Sequence, residues 1–175
     1  MARMLHREWT AAAIPAGVVI ALLGAWAVFA PLVGPYFDFG FHTDSTLVFS
    51  ERHWTLSLAP GIAAGAAGLL MTFPSRVGGA LVSLVATLAG AWLVLGPTLY
   101  PLWNPGDELA PVGRSETMTA LLWIGYYYAP GALVLFLSGL AEGMLSRGTR
   151  VVEAVEEERP VAPLEERRER RIPVP

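Results

Sequence analysis

Four long apolar stretches separated by polar segments set the pattern of this chain, at residues 11–33, 54–73, 77–99 and 117–140. Each is near the ~20 residues that cross the hydrocarbon core of a bilayer. None carries the charged stripe of a helix with one face in water. The predicted fold is all-α: a polytopic membrane protein with four transmembrane helices.

The stretches repeat. Residues 22–35 read LLGAWAVFAPLVGP and residues 88–101 read LAGAWLVLGPTLYP. Leu22/Leu88, Gly24/Gly90, Ala25/Ala91, Trp26/Trp92, Val28/Val94, Pro31/Pro97 and Pro35/Pro101 match at one constant offset. Farther on, Ala59-Pro60-Gly61 returns as Ala129-Pro130-Gly131 at a slightly larger one. A fixed internal period marks a repeated structural unit. Each unit reads as helix, polar loop, helix: residues 11–74 with an external loop at 34–53, and residues 75–142 with an external loop at 100–116. Two passes per unit send both hairpins across in the same direction. The predicted symmetry is therefore a pseudo-two-fold axis along the membrane normal.

Inside lipid, water no longer drives helices together, and close contact over small residues takes its place. Ala13, Gly17, Ala21 and Ala25 form such a stripe on the first span, expected to face the second or third. The second span carries Gly61-x-x-x-Gly65 with Ala64 and Ala67, and the third carries Gly79, Ser83, Ala86 and Gly90. A large residue at Gly17 or Gly65 is expected to loosen the bundle. Pro60 and Pro130 each deprive a carbonyl of its amide partner, and in lipid that carbonyl must be satisfied by protein or water. For Pro130 the tyrosines beside it are candidate donors. Pro31 with Pro35, and Pro97 with Pro101, are expected to end or kink their helices near the outer interface. Trp26 and Trp92 lie close to the outer boundary and read as interfacial anchors or packing residues. The functional alternative is stacking on a pigment, quinone or lipid tail.

Composition agrees with the pattern. Of 175 residues 54% are hydrophobic and 15% charged, with mean hydropathy +0.48. There is no cysteine, so thiol chemistry and disulfides are excluded. Every basic residue other than histidine is arginine. With the N-terminus inside, Arg3, Arg7, Arg76, Arg147, Arg150 and the tail arginines share the inner side, against Arg52 and Arg114 outside. That is the positive-inside distribution. It predicts an inner (plasma) membrane protein with both ends cytoplasmic: a cap at residues 1–10 and a charged, largely disordered tail at 143–175, with a transient helix near 164–171.

The span interiors, by these boundaries, hold no Asp, Glu, His or Arg. A proton relay, charge-coupled carrier or intramembrane metal site ordinarily needs one. No catalytic, cofactor-binding or metal residue is assigned. The first outer loop offers a weak polar cluster of His42, Asp44, Glu51 and His53. These are donors a first-row metal accepts, but their spacing fits no motif and an ordinary polar loop explains them. The aromatic residues Tyr36, Phe37, Phe39 and Phe41 of that loop are expected on the membrane surface or on helix ends. Tyr126, Tyr127 and Tyr128 diverge on an α-helix and are not expected to form one cluster. The basic tail contains no folded nucleic-acid module.

The repeated stretch resembles the SPW-repeat family of small bacterial and archaeal membrane proteins. The resemblance rests on Gly24-Ala25-Trp26 through Ala30-Pro31-Leu32, and on Gly90-Ala91-Trp92 through Gly96-Pro97-Thr98. The proline is kept in each copy, while the family's serine and second tryptophan are not. The resemblance implies paired membrane helices and no particular reaction. The function expected from all this is non-enzymatic: a structural or accessory subunit in contact with membrane lipids, associating through small-residue faces as a homo-oligomer or within a larger complex. The alternatives are a small oligomeric transporter, channel or lipid-binding module, and a cofactor-bearing redox subunit.

Overall fold

The computed structural model describes residues 2–41, 47, 50–73, 76–106 and 115–157. Helix α1 is Ala2–Val33, and a 3-10 turn, Gly34–Phe37, follows it. Helix α2 covers residues 51–71. Helix α3 is Arg76–Leu99, followed by a second 3-10 turn, Tyr100–Leu102. Helix α4 covers residues 116–157. Four segments are long and apolar enough to cross a membrane: Ile14–Phe37, Glu51–Met71, Gly79–Leu102 and Glu116–Met144. The protein is an all-helical, multi-pass membrane bundle of two hairpins, and no strand occurs among the described residues.

Helices α1 and α3 end at Val33 and Leu99, as expected for their spans, while the starts of α1 and α2 and the end of α4 differ. Pro31 and Pro97 lie inside α1 and α3, and each helix tightens into its 3-10 turn where Pro35 or Pro101, the second proline of the pair, follows. Proline fits helical φ but cannot donate, and it is at the second proline that the α pattern gives way. Helix α2 begins at Glu51, not at Trp54, because Ser50 caps it: the Ser50 hydroxyl accepts from the His53 amide at 3.2 Å. Ser115 caps α4 in the same manner, accepting from Met118 at 3.4 Å. Helix α4 passes residue 143 and runs to Glu157. The chain divides into two compact units, Met1–Leu145 and Ser146–Pro175. The stretch 164–171 falls outside the described residues.

All four helices meet in one core. Ile20 comes from α1, Ala64, Ala67 and Met71 from α2, Ala86 and Ala89 from α3, and Val134 and Ala141 from α4. Alanine dominates, so the helix axes lie close. Hairpin one takes this furthest. A Cβ on Gly24 would lie 2.6 Å from the Gly61 carbonyl oxygen, and one on Gly17 or Gly68 would lie 2.6 Å from the other's carbonyl oxygen. The stripe on α1 therefore faces α2, with Gly17, Ala21 and Gly24 at the crossing. Gly65 is looser than expected: a Cβ there meets nothing nearer than 3.8 Å. The tight pair on α2 is Gly61 and Gly68, about two helical turns apart, as Gly17 and Gly24 are on α1.

Hairpin two repeats the crossing. A Cβ on Gly61 would meet Val28 Cγ2, the Gly24 carbonyl oxygen and Ala27 Cβ at 2.9, 3.0 and 3.1 Å. A Cβ on Gly131 would meet Val94 Cγ2, the Gly90 carbonyl oxygen and Leu93 Cβ at 2.8, 2.9 and 3.0 Å. These are the repeat-equivalent atoms, so the internal repeat of sequence is a repeat of packing. At the other end of the hairpin the means differ. Where hairpin one has Gly17, Ala21 and Gly68, hairpin two has Ser83, Thr87 and Ser138. Ser83 Oγ donates to the Ser138 carbonyl at 2.9 Å, and Thr87 Oγ1 donates to Ser138 Oγ at 2.9 Å. The same crossing is closed once by contact and once by interhelical hydrogen bonds. Gly79 is buried on α3, one helical turn before Ser83.

Candidate functional site

Both returning helices depart from α geometry at one place. Trp54–Leu58 of α2 and Ile124–Tyr128 of α4 are π turns, each running directly into Ala-Pro-Gly. The Ala59 amide donates to the Trp54 carbonyl, and the Ala129 amide donates to the Ile124 carbonyl, five residues back in each case. In an α-helix Ala59 would serve Thr55 and Ala129 would serve Gly125. In the π register the next donor in line would be residue 60 or 130, and both are proline. The carbonyls of Thr55 and Gly125 thus lose the α donor to the wider turn and the π donor to proline.

Each is satisfied from the opposite hairpin. Trp92 Nε1 donates to the Thr55 carbonyl at 2.7 Å, and Trp26 Nε1 donates to the Gly125 carbonyl at 2.8 Å. The bonds are reciprocal: α3 reaches α2, and α1 reaches α4. The rings remain 49% exposed for Trp26 and 39% for Trp92. Partial exposure suits a lipid-facing indole, but the indole nitrogen has a defined protein partner in both copies. The prolines pointed to carbonyls in need of partners, and for Pro130 the neighbouring tyrosines were the candidate donors; at Thr55 and Gly125 the tryptophans fill that role.

The tyrosines have other partners. The Tyr126 hydroxyl lies 3.0 Å from the Ala30 carbonyl oxygen and also reaches that of Phe39. It sits over Gly34, where any Cβ would collide with it. Phe39 and Phe41 fold back from the outer loop onto this helix end: the Phe39 amide donates to the Gly34 carbonyl at 2.9 Å. Phe41 is buried with ring centroids 5.3 Å from Tyr126, 5.9 Å from Tyr127 and 5.2 Å from Trp123. Tyr128 stacks on Trp123 at 6.0 Å. The three tyrosines therefore do belong to one aromatic layer, contrary to expectation. The expectation considered the tyrosines alone; Phe41 and Trp123 pack among them and link the three rings, with Tyr126 and Tyr127 both buried. Tyr36 and Phe37, by contrast, are exposed.

Hairpin one places different chemistry at the equivalent depth. Arg52 and His53 are only 5% and 3% exposed, in the first turn of α2, and Ser57 is buried beside them on the same helix. Their repeat counterparts are Leu122, Trp123 and Tyr127. Arg52 and His53 each have an interaction partner in the fold. The sequence assigned both to the polar loop, and Ser50 ahead of Glu51 was the overlooked signal. Of the expected polar cluster, Glu51 is exposed while His53 is buried, and His42 and Asp44 lie outside the described residues. No group of three or more His, Cys, Asp or Glu suited to a metal ion occurs among the described residues. Every buried side-chain nitrogen and oxygen among them has a hydrogen-bond partner.

The arrangement defines a class: a tandem-hairpin membrane bundle whose halves are tied by paired indole-to-carbonyl bonds. No protein-family model, curated protein or solved structure matches the chain.

Proposed function

We propose that the protein is a non-enzymatic structural or accessory membrane subunit that works by association. One observation carries this reading. Six polar side chains of the spans, Trp26, Trp92, Ser83, Thr87, Ser138 and Tyr126, each take part in a hydrogen bond that ties one helix to another. Groups used in this way support a scaffold more than a reaction centre. The accessory role is kept, but its surface moves. Gly17, Gly24, Gly61, Gly90 and Gly131 close the bundle from within, so a partner meets the outer faces, where Leu22, Phe29, Leu81, Leu88, Leu133 and Phe136 are exposed. The proposal places both ends in the cytoplasm and the protein in the plasma membrane, on the arginine distribution. The tandem tryptophan and proline are compatible with kinship to the SPW-repeat proteins.

Purification in mild detergent followed by native mass spectrometry tests the reading. A stoichiometric protein partner, or a defined homo-oligomer, is the expected result. A monomer carrying a bound small molecule would instead favour the lipid- or cofactor-binding alternatives.

A further inference from the structure

We infer that each π turn is a register switch, held in its present state by the tryptophan of the opposite hairpin. The choice lies with Ala59, whose single amide proton can serve one carbonyl. In the observed register it serves Trp54, and Trp92 Nε1 takes Thr55 at 2.7 Å. In the alternative, α register it serves Thr55 itself, and the Trp92 indole is released. Ala129 faces the same choice between Ile124 and Gly125, with Trp26 as the external donor at 2.8 Å. Each register carries a cost of its own. The π register leaves a carbonyl dependent on the other hairpin, and the α register sets the proline ring against the carbonyl four residues back. A contact made in one register and not in the other is what shifts the balance between them. Because the bonds are reciprocal, each hairpin holds the register of the other. Two separate instances in one chain, at repeat-equivalent residues, support the assignment.

The change has a specific geometric consequence. When the wide turn closes, each residue from Thr55 back toward the N-terminus takes the place of the one before it. Trp54, now 51% exposed, moves to the buried place of His53, and Thr55 moves to the exposed place of Trp54. Arg52 is carried out toward the position of Glu51.

The chain has no cysteine, so single cysteines report against no background. Cysteines are introduced at positions 54 and 55 separately, with and without Trp92→Phe, and their rates with a small maleimide are measured in detergent. The substitution keeps a ring and removes the donor. The expected result is a several-fold slower reaction at position 54 and a several-fold faster one at position 55 when Trp92 is replaced. Any other pattern overturns the proposal, including no change at either position and a rise at both, which is loosening without a change of register. Should Trp92→Phe fail to fold, Trp26→Phe is read at cysteines replacing Leu122 and Ile124, with position 122 gaining reactivity and position 124 losing it. Failure of both variants to fold also overturns it, because the indoles would then hold the fold together and not select between two registers.

Discussion

Gly61 and Gly65 look alike in the sequence and differ in what surrounds them. A side chain at Gly61 meets Val28, Gly24 and Ala27 within 3.1 Å, whereas one at Gly65 meets nothing inside 3.8 Å. Overpacking a close crossing costs ~1–3 kcal/mol, and a substitution that makes only ordinary contacts stays within about 0.5 kcal/mol. Gly61→Val is therefore expected to lower the melting temperature of the detergent-solubilised monomer clearly, and Gly65→Ala to leave it nearly unchanged. Thermal unfolding of the two variants side by side decides the matter. Tyr126 offers a second test at this scale. Its hydroxyl serves carbonyls of Ala30 and Phe39 that have little water to turn to. Tyr126→Phe keeps the ring in its aromatic layer and removes only the donor, so a loss of ~1–3 kcal/mol is expected, the cost of an unsatisfied buried acceptor. No change in unfolding midpoint would mean that those carbonyls find another partner.

Among the helices, the two hairpins show one crossing closed in two ways. Glycine contact at Gly17 and Gly68 is replaced by hydroxyls at Ser83, Thr87 and Ser138. Hydrogen bonds between membrane helices average only ~0.6 kcal/mol, and Thr87 has the Ser83 carbonyl as a second acceptor at 2.9 Å. Ser138→Ala is therefore expected to cost well under what Gly68→Val costs in hairpin one, and equilibrium unfolding of both variants checks the order. The reverse order would show that the hydroxyl network, and not backbone proximity, closes these crossings. The helices themselves were legible in the sequence because an apolar run near bilayer length has few other uses. The repeat was legible because Gly24, Trp26 and Pro31 recur at one spacing as Gly90, Trp92 and Pro97. The π turns were not legible. They depend on an indole from another helix to satisfy Thr55 or Gly125, and local sequence carries no sign of that partner. Arg52 and His53 were misplaced because their charge and polarity suggested a loop, and the Ser50 cap that brings them into α2 is a single residue.

For the molecule as a whole, the central claim is that two equivalent hairpins cross the membrane in the same direction. The repeated contacts around Gly24 and Gly61, and around Gly90 and Gly131, follow from that arrangement, as do the exchanged bonds of Trp26 and Trp92. Four crossings put both loop ends, near Tyr36 and Leu102, on one side and the short turn at Phe73 on the other. All three side chains are exposed, and the absence of cysteine makes each position separately addressable. The most direct measurement is labelling of single cysteines at positions 36, 73 and 102 in sealed, oriented vesicles with a membrane-impermeant maleimide. The account predicts that positions 36 and 102 react from the same face and position 73 only from the opposite one. Reaction of position 73 from the same face as position 36, or of positions 36 and 102 from opposite faces, would contradict it.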